Sequence, residues 1–159
     1  MPRPSKERKV QEPPKIQGLK PMGVPARFLE RIYLTLGEYE AIRLADYDGL
    51  DHQRAADIIG VSRPTFTRLI EKARKKVAEA IVGVKELVIE GGNYTFATQL
   101  QRCMDCGDFE RFESPDELIN NCPSCGSSNI IHLNEWFGGR GGRGFGKRGG
   151  FRRGHGRIS

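Results

Sequence analysis

The sequence lacks any apolar run long enough to cross a bilayer, and its basic start has none of the apolar stretch that a signal peptide needs. We therefore expect no contact with a membrane and a cytoplasmic location. Histidine is also scarce, with three in 159 residues. No phosphate-binding glycine loop precedes a predicted helix, and no nucleophile stands beside a base. These absences argue against an enzyme and favour a binding protein.

Positive charge is present and unevenly distributed, around a net charge of +6. Residues 1–27 carry seven basic and two acidic side chains, whereas residues 99–137 carry two basic and seven acidic ones. Residues 138–159 carry seven basic side chains and no acidic one. Such segregation of charge favours a polyanionic partner.

Residues 51–81 have the pattern of two helices joined by a tight turn. Asp51 and Ser62 are placed to cap the two helices, Gly60 can adopt the left-handed conformation of the turn, and Pro64 falls in the first turn of the second helix. Spacings of three and four residues put an apolar stripe on the second helix at Phe66, Leu69, Ile70, Ala73, Val77, Ala80 and Ile81. The pattern is typical of a helix-turn-helix; a helical hairpin with a solvated basic face is the alternative.

The other face of the second helix is basic, with six basic residues and one acid between Arg63 and Lys76. In a helix-turn-helix, the second helix lies in the major groove of DNA with its first residues against the base edges. The pattern therefore predicts base contacts by Arg63, Thr65, Thr67 and Arg68, and phosphate contacts by Lys72, Lys75 and Lys76.

The segments on either side complete a predicted domain over residues 28–98. Thr35 and Glu38 have the spacing of a capping box at the start of another helix that reaches Tyr47. After the long helix, residues 87–90 and 93–96 flank two glycines and predict a β-hairpin. Residues 1–27 are rich in proline and predict an extended arm. The arm either follows DNA phosphates or lies in a minor groove with Arg3, Lys6, Arg8 and Lys9, or it is only a solubilising tail.

Four stretches carry a family resemblance: PMGVP at 21–25, LTLGEYEAIRLADYDGL at 34–50, AADIIGVSRPTFTRLIEKARKKVAEAIV at 55–82 and IEGGNY at 89–94. Together they resemble the prokaryotic family known as domain of unknown function 134, over roughly residues 10–96. The resemblance implies a small DNA-binding protein whose helix-turn-helix is similar to region 4 of sigma factors. It implies neither a particular target nor a process.

The cysteines form two CxxC pairs, Cys103 with Cys106 and Cys122 with Cys125, separated by fifteen residues. Each pair can direct two sulfurs to one point, and two pairs complete the tetrahedral thiolate site that zinc accepts. The sequence therefore predicts a zinc ribbon over residues 99–137. Iron in a rubredoxin-like site is the alternative, and a redox dithiol is less favoured because no βαβ unit flanks the pairs. We expect His132 to be a strand residue, since four sulfurs already complete the site.

The ribbon and the tail suggest different partners. The acidic ribbon is expected to repel phosphates and to dock on a protein such as RNA polymerase, or simply to close the structure. Residues 138–159 contain ten glycines and are expected to be disordered, with RNA or DNA contacts by Arg140, Arg143, Arg148, Arg152 and Arg153. A solubilising tail without a partner is the alternative.

The sequence therefore predicts a mainly α fold class: a helix-turn-helix bundle with a β-hairpin, then a small β zinc ribbon and a disordered tail. The predicted function is sequence-specific binding of double-stranded DNA, as in a transcriptional regulator. The alternatives are an RNA-binding or ribonucleoprotein accessory and an adaptor that docks on RNA polymerase.

Overall fold

The computed structural model describes residues 6–137 of the chain. Within that part, the α-helices are α1 (Leu36–Ile42), α2 (His52–Ile59) and α3 (Arg63–Val82). A π-helical segment at Arg43–Tyr47 continues α1. The strands are β1 (Arg8–Val10), β2 (Gly18–Leu19), β3 (Arg31–Leu34), β4 (Glu86–Ile89), β5 (Tyr94–Phe96), β6 (Gln99–Cys103), β7 (Phe109–Phe112) and β8 (Ile130–His132). Short 3-10 turns occupy Ala26–Phe28, Pro115–Glu117 and Leu133–Phe137.

The prediction of a mainly α protein is wrong. The described residues form three small sheets beside the helices, so the fold is of mixed α and β composition. Strands that are only two to five residues long have too few alternating positions to give a clear period-two pattern. The sequence pattern of the arm and of the loops therefore does not reveal their strands.

The helix boundaries follow from side chains close to each helix start. Thr35 and Glu38 form the predicted capping box, in which the Glu38 amide donates to Thr35 Oγ1 (3.2 Å) and the Thr35 amide donates to Glu38 Oε1 (2.9 Å). Asp51 caps α2 by accepting from the Arg54 amide at 2.8 Å. Gly60 ends α2 with a φ of 91°, a conformation that favours glycine, and Ser62 then caps α3.

The predicted hairpin does not form, because β4 and β5 belong to different sheets. Strand β4 is the centre of a sheet in which it pairs in parallel with β3 and antiparallel with β2. Both of its edges are therefore occupied, and β5 pairs in parallel with β1 instead. The two glycines do turn the chain with positive φ, but they turn it toward α1, where the Gly91 carbonyl accepts from the Leu36 amide at 3.1 Å.

Residues 6–27 are part of the fold and are not a free arm. They supply β1 and β2 to two of the sheets. Val10 is fully buried, and so are Pro13 and Pro14. The basic residue Arg3 of the predicted arm lies outside the described residues.

Two apolar clusters form the core. One lies between the three helices and consists of Ala41, Leu44, Ala55, Ala56, Ile59, Val61, Phe66 and Ile70. The other joins the far half of α3 to the strands and consists of Val10, Leu34, Leu36, Ala73, Ala80, Leu87, Ile89, Tyr94 and Phe137. Phe137 follows the cysteine module in sequence, so that module contributes to the same core as the helices.

The apolar stripe of α3 is correct except at its last position. Phe66, Ile70, Ala73 and Ala80 are buried, but Ile81 is 72% exposed because the helix ends one residue later and leaves the core.

Among residues 6–137, no helix is both long and apolar enough to traverse a lipid bilayer.

Candidate nucleic-acid interface and metal centre

Helix α3 is held firmly on one side and open on the other. Its inner face packs on α1 and α2 through the helical cluster that contains Phe66 and Ile70. At 100° per residue, Arg68, Lys72 and Lys75 fall within an arc of about 60° on the side opposite that apolar stripe. All three are exposed, and so is Arg63 in the first turn. The open side of α3 is therefore a basic surface on a fixed helix.

Four exposed basic side chains of α3 take part in none of the ion pairs among residues 6–137. Arg63, Arg68, Lys72 and Lys75 are thus available to an anionic partner. Arg74 differs, because its guanidinium forms a two-point contact with Asp46 at 2.6 and 3.1 Å. This contact lowers the pKa of the Asp46 carboxyl below its usual value. We name Arg68, Lys72 and Lys75 the α3 basic face; Arg63 is exposed at the start of the helix and lies about 150° around the axis from them.

Three of the predicted contact residues have partners within the protein. The Lys76 ammonium donates to Glu38 Oε1 and to the Tyr33 carbonyl, each at 2.7 Å. Thr67 Oγ1 lies 2.9 Å from His52 Nδ1, and Thr65 Oγ1 accepts from the Ser62 hydroxyl at 2.9 Å. Both threonines are half-buried. Lys76 and Thr67 are therefore held in positions that fasten α3 to its neighbours.

The four cysteines meet at the end of a three-stranded sheet. Strand β6 is central and pairs antiparallel with β7 and β8, and it ends at Cys103. All four sulfur atoms lie within 4.8 Å of one another. Cys103 and Cys122 are buried, whereas Cys106 and Cys125 are exposed. The sequence prediction that these residues converge is confirmed.

The sulfur positions fit a tetrahedral metal ion. The Cys103 and Cys125 sulfurs are 3.6 Å apart, as are those of Cys106 and Cys122. Four sulfurs at 2.3 Å from a central ion would be about 3.8 Å from one another, which is close to the observed spacing. Amides of Cys106 and Ser124 point at the sulfurs of Cys103 and Cys122, at 3.5 and 3.3 Å, and such donors favour thiolates. The site can therefore bind a metal ion.

The thiols already differ in acidity. The hydrogen bond from the Cys106 amide lowers the pKa of Cys103 to about 7. For Cys106, a hydrogen bond from the Asp108 amide lowers the pKa, but desolvation and the neighbouring sulfurs outweigh it and raise the value to about 12. Sulfurs this close cannot all carry negative charge without a cation between them. A cation bound between the sulfurs would favour their ionised forms.

His132 is a residue of β8, as the sequence predicts, and its Nε2 lies 2.9 Å from Gln99 Oε1 across the sheet. It is not among the four residues whose ligand atoms converge. The metal-binding set found within residues 6–137 is thus made of sulfur alone.

A family model described as "Protein of unknown function DUF134" matches residues 1–97. The chain belongs to the DUF134 family. A UPF0251 protein of Chloroherpeton thalassium is 53% identical over 139 residues, which cover 87% of this chain and 91% of the relative. A UPF0251 protein of Moorella thermoacetica is 42% identical over 130 residues, covering 82% and 86%. One from Methanothermobacter thermautotrophicus is 38% identical over 130 residues, covering 82% and 67%. No solved structure matches the chain.

In this DUF134 protein, the helical part and the cysteine module are tied together through β1 and the segment that follows it. The Val10 and Gln11 carbonyls accept from the Ala97 and Thr98 amides at 2.8 and 3.0 Å. Glu12 forms a two-point contact with Arg111 of β7, at 3.0 Å for each bond. The predicted boundary near residue 98 is therefore bridged by the contact between Glu12 and Arg111.

Sequence reasoning missed one residue beside α3 of this DUF134 protein. His52 is at the first position of α2 and contacts both Thr67 and the Phe66 ring, whose centroid is 5.2 Å from its own. No apolar side chain stands three positions before His52, so the nearby sequence gave no sign of these contacts. Lys9, which the sequence singles out as a basic residue of the arm, lies near Gly60 at the turn between the helices. The predicted tail contacts Arg140, Arg143, Arg148, Arg152 and Arg153 lie outside the described residues.

Proposed function

We propose that this DUF134 protein binds double-stranded DNA in a sequence-specific manner and acts as a transcriptional regulator, without enzymatic activity. The observation that carries the proposal is the α3 basic face, which is exposed on a helix whose opposite side is fixed in the core. A helix entering the major groove needs this combination, because its basic side chains must reach DNA while its axis stays rigid.

The available side chains suit two different tasks in the groove. Arg63 and Arg68, nearest the start of α3, are of the type that forms two hydrogen bonds with guanine. Lys72 and Lys75 lie further along the helix and suit the phosphate backbone, since lysine acts as a point charge. We therefore assign base contacts to the arginines and phosphate contacts to the lysines.

The first experiment is a selection of bound duplexes from random oligonucleotides, followed by titrations of the selected sequence. If about four phosphates are neutralised, affinity should fall roughly 10²-fold between 50 and 200 mM salt. Arg68→Ala should cost about 1–3 kcal/mol on the selected sequence and relax the preference at one base pair. Arg27→Ala is the control, because Arg27 is exposed and lies outside α3. Its guanidinium lies 4.7 Å from the centre of the Phe28 ring. Equal binding to all sequences by the wild type would contradict sequence-specific recognition.

The RNA and RNA-polymerase alternatives make different predictions for the same titrations. An RNA accessory would lose binding on deletion of residues 138–159 and not in an Arg63→Ala/Arg68→Ala double variant. An adaptor for RNA polymerase would be retained by the polymerase at high salt and would need an intact cysteine module. The regulator proposal requires that the double variant lose duplex binding.

We propose zinc as the ion of the cysteine site. Zinc accepts four thiolates in closed structural sites, and a site at the end of a small sheet serves that role. Elemental analysis of the purified chain tests the assignment, with one zinc per chain expected. Iron would give a coloured protein, whereas zinc has a filled d shell and gives a colourless one.

A further inference from the structure

Strand β1 directs its side chains to two different places. Arg8 faces α1, where its Cγ would lie 2.9 Å from a Cβ built on Gly37, and Val10 is fully buried in the core. Lys9 lies between them and points to the other side of the strand, as alternate residues do. Its Cδ and Cε would each lie 3.8 Å from a Cβ built on Gly60. Lys9 therefore covers the turn of the helix-turn-helix.

The turn that Lys9 covers leads directly into the end of α3 that carries Arg63. Gly60 is three residues before Arg63, so their Cα atoms are at most about 11 Å apart. The Lys9 side chain is exposed, and the ion pairs among residues 6–137 do not use it. A fixed strand thus adds an unpaired ammonium beside the start of α3.

Three other basic residues of the same segment are either engaged by other groups or far from Arg63. The Arg8 guanidinium donates to the Lys6 carbonyl at 2.5 Å, and the Lys15 ammonium lies 4.8 Å from the centre of the Phe109 ring. Lys20 is exposed but follows β2, which pairs with β4 after the far end of α3. Because α3 has 20 residues, that end is about 30 Å from Arg63.

We infer that Lys9 is a phosphate-binding residue for duplex DNA, holding the backbone at the edge of the groove that α3 enters. This inference rests on the proposed function. The major groove is about 12 Å wide. Lys9 covers a turn that lies within about 11 Å of Arg63, so it is at the right distance to reach a flanking phosphate. The partner is the backbone and not a base, because a lysine at the rim carries charge without a planar pair of donors.

The competing role for Lys9 is structural. A lysine near the last carbonyls of α2 can stabilise that helix end through its charge. If Lys9 had this role, its replacement would lower the stability of the protein and leave the salt dependence of DNA binding unchanged. The two roles are therefore separable by measuring both quantities.

The test uses the full chain and the selected duplex, with affinity measured from 50 to 200 mM salt. For Lys9→Gln we expect the slope of log affinity against log salt to become shallower by about 0.9, with affinity at 50 mM reduced about threefold to tenfold on all sequences alike. Lys9→Arg should retain the wild-type slope, because it keeps the charge. Lys20→Gln, the matched control, should leave slope and affinity unchanged.

Several outcomes would overturn the inference. If Lys9→Gln binds with the wild-type slope, Lys9 does not contact a phosphate, although the proposed function stands. A lower melting temperature with an unchanged slope would assign Lys9 to the end of α2 instead. Loss of preference at a single base pair would make it a base contact. Failure of the wild-type chain to bind duplex DNA at all would remove the proposed function and this inference with it.

Discussion

The Lys76 ammonium lies 2.7 Å from the Glu38 carboxylate and thereby fastens the middle of α3 to the start of α1. The same Glu38 oxygen accepts from the Thr35 amide at 2.9 Å and so also closes the capping box. The side chain of Glu38 is 3% exposed and that of Lys76 is 22% exposed, so water screens the pair only weakly. Lys76 is therefore a residue of the framework, whereas its neighbour Lys75 is exposed.

Lys76→Met should lower the free energy of unfolding by about 1–3 kcal/mol, because Glu38 would keep its buried charge and lose its cation. The salt dependence of DNA binding should not change. Lys75→Met is the matched control and should do the reverse, making the slope shallower by about 0.9 with little effect on stability. Chemical denaturation and salt titration of both variants give the comparison, and a Lys76 variant of normal stability with weakened DNA binding would contradict it.

Thr67→Val should reduce stability without altering the preferred DNA sequence. The Thr67 hydroxyl lies 2.9 Å from His52 Nδ1, so its loss leaves a half-buried imidazole without that partner, at a cost of about 1 kcal/mol. Denaturation measures the cost, and repeating the oligonucleotide selection with the variant measures the preference. Thr67→Ser, which keeps the hydroxyl, should behave as wild type in both assays. A changed preference at one base pair would show that Thr67 reaches DNA.

The local features of the fold could be predicted because each depends on residues three or four apart. Asp51 caps α2 through the Arg54 amide, and Thr35 and Glu38 cap α1 reciprocally. Gly60 adopts the left-handed conformation because glycine has no Cβ to oppose it. The convergence of the cysteines belongs to the same class, since each CxxC pair is a local turn and a tetrahedral site has few other solutions.

The features that could not be predicted depend on distant residues. Nothing in the sequence near Lys76 indicates that Glu38, 38 positions away, holds its ammonium. Likewise, residues 93–96 have the pattern of a hairpin strand, but β4 finds partners in β2 and β3 from the first part of the chain. Competition between distant strands for one edge decides the pairing, and local propensity carries no information about it.

Tyr94 links the helical part to the end of the cysteine module, because its hydroxyl donates to the Phe137 carbonyl inside the core. Burial raises the pKa of Tyr94 above its ordinary value. Since the folded state disfavours the phenolate, this group contributes stability below about pH 10 that is lost as the pH rises beyond the pKa of the unfolded chain.

Tyr94→Phe should therefore cost about 1 kcal/mol at pH 8, through loss of the buried hydrogen bond. Between pH 9 and 11 the wild type should lose stability faster than the variant, so the difference between them should shrink. Urea denaturation at each pH tests this, with Tyr47→Phe as the control because Tyr47 is 85% exposed. A difference that stays constant across this range would mean that Tyr94 ionises equally in both states.

Metal removal should unfold the cysteine module and leave most of the helical structure intact. The module has few buried apolar residues of its own, so we expect the ion to supply folding free energy of order 10 kcal/mol. The helical cluster around Phe66 contains no residue of the module. Trp136 is the only tryptophan of the chain, and it packs beside Phe137 with ring centroids 6.3 Å apart. Its fluorescence therefore reports on the place where the module joins the second core cluster.

Chelation of the ion, or the substitution Cys122→Ser, should shift Trp136 emission to longer wavelength while the helical circular dichroism falls only slightly. Ser124→Ala is the matched control, because Ser124 lies in the same turn but contributes only its amide. Since Phe137 packs with Val10 in the second core cluster, loss of the module should also raise amide exchange in β1. Emission that stays unchanged after the ion is shown to be gone would mean that the module folds by apolar packing alone.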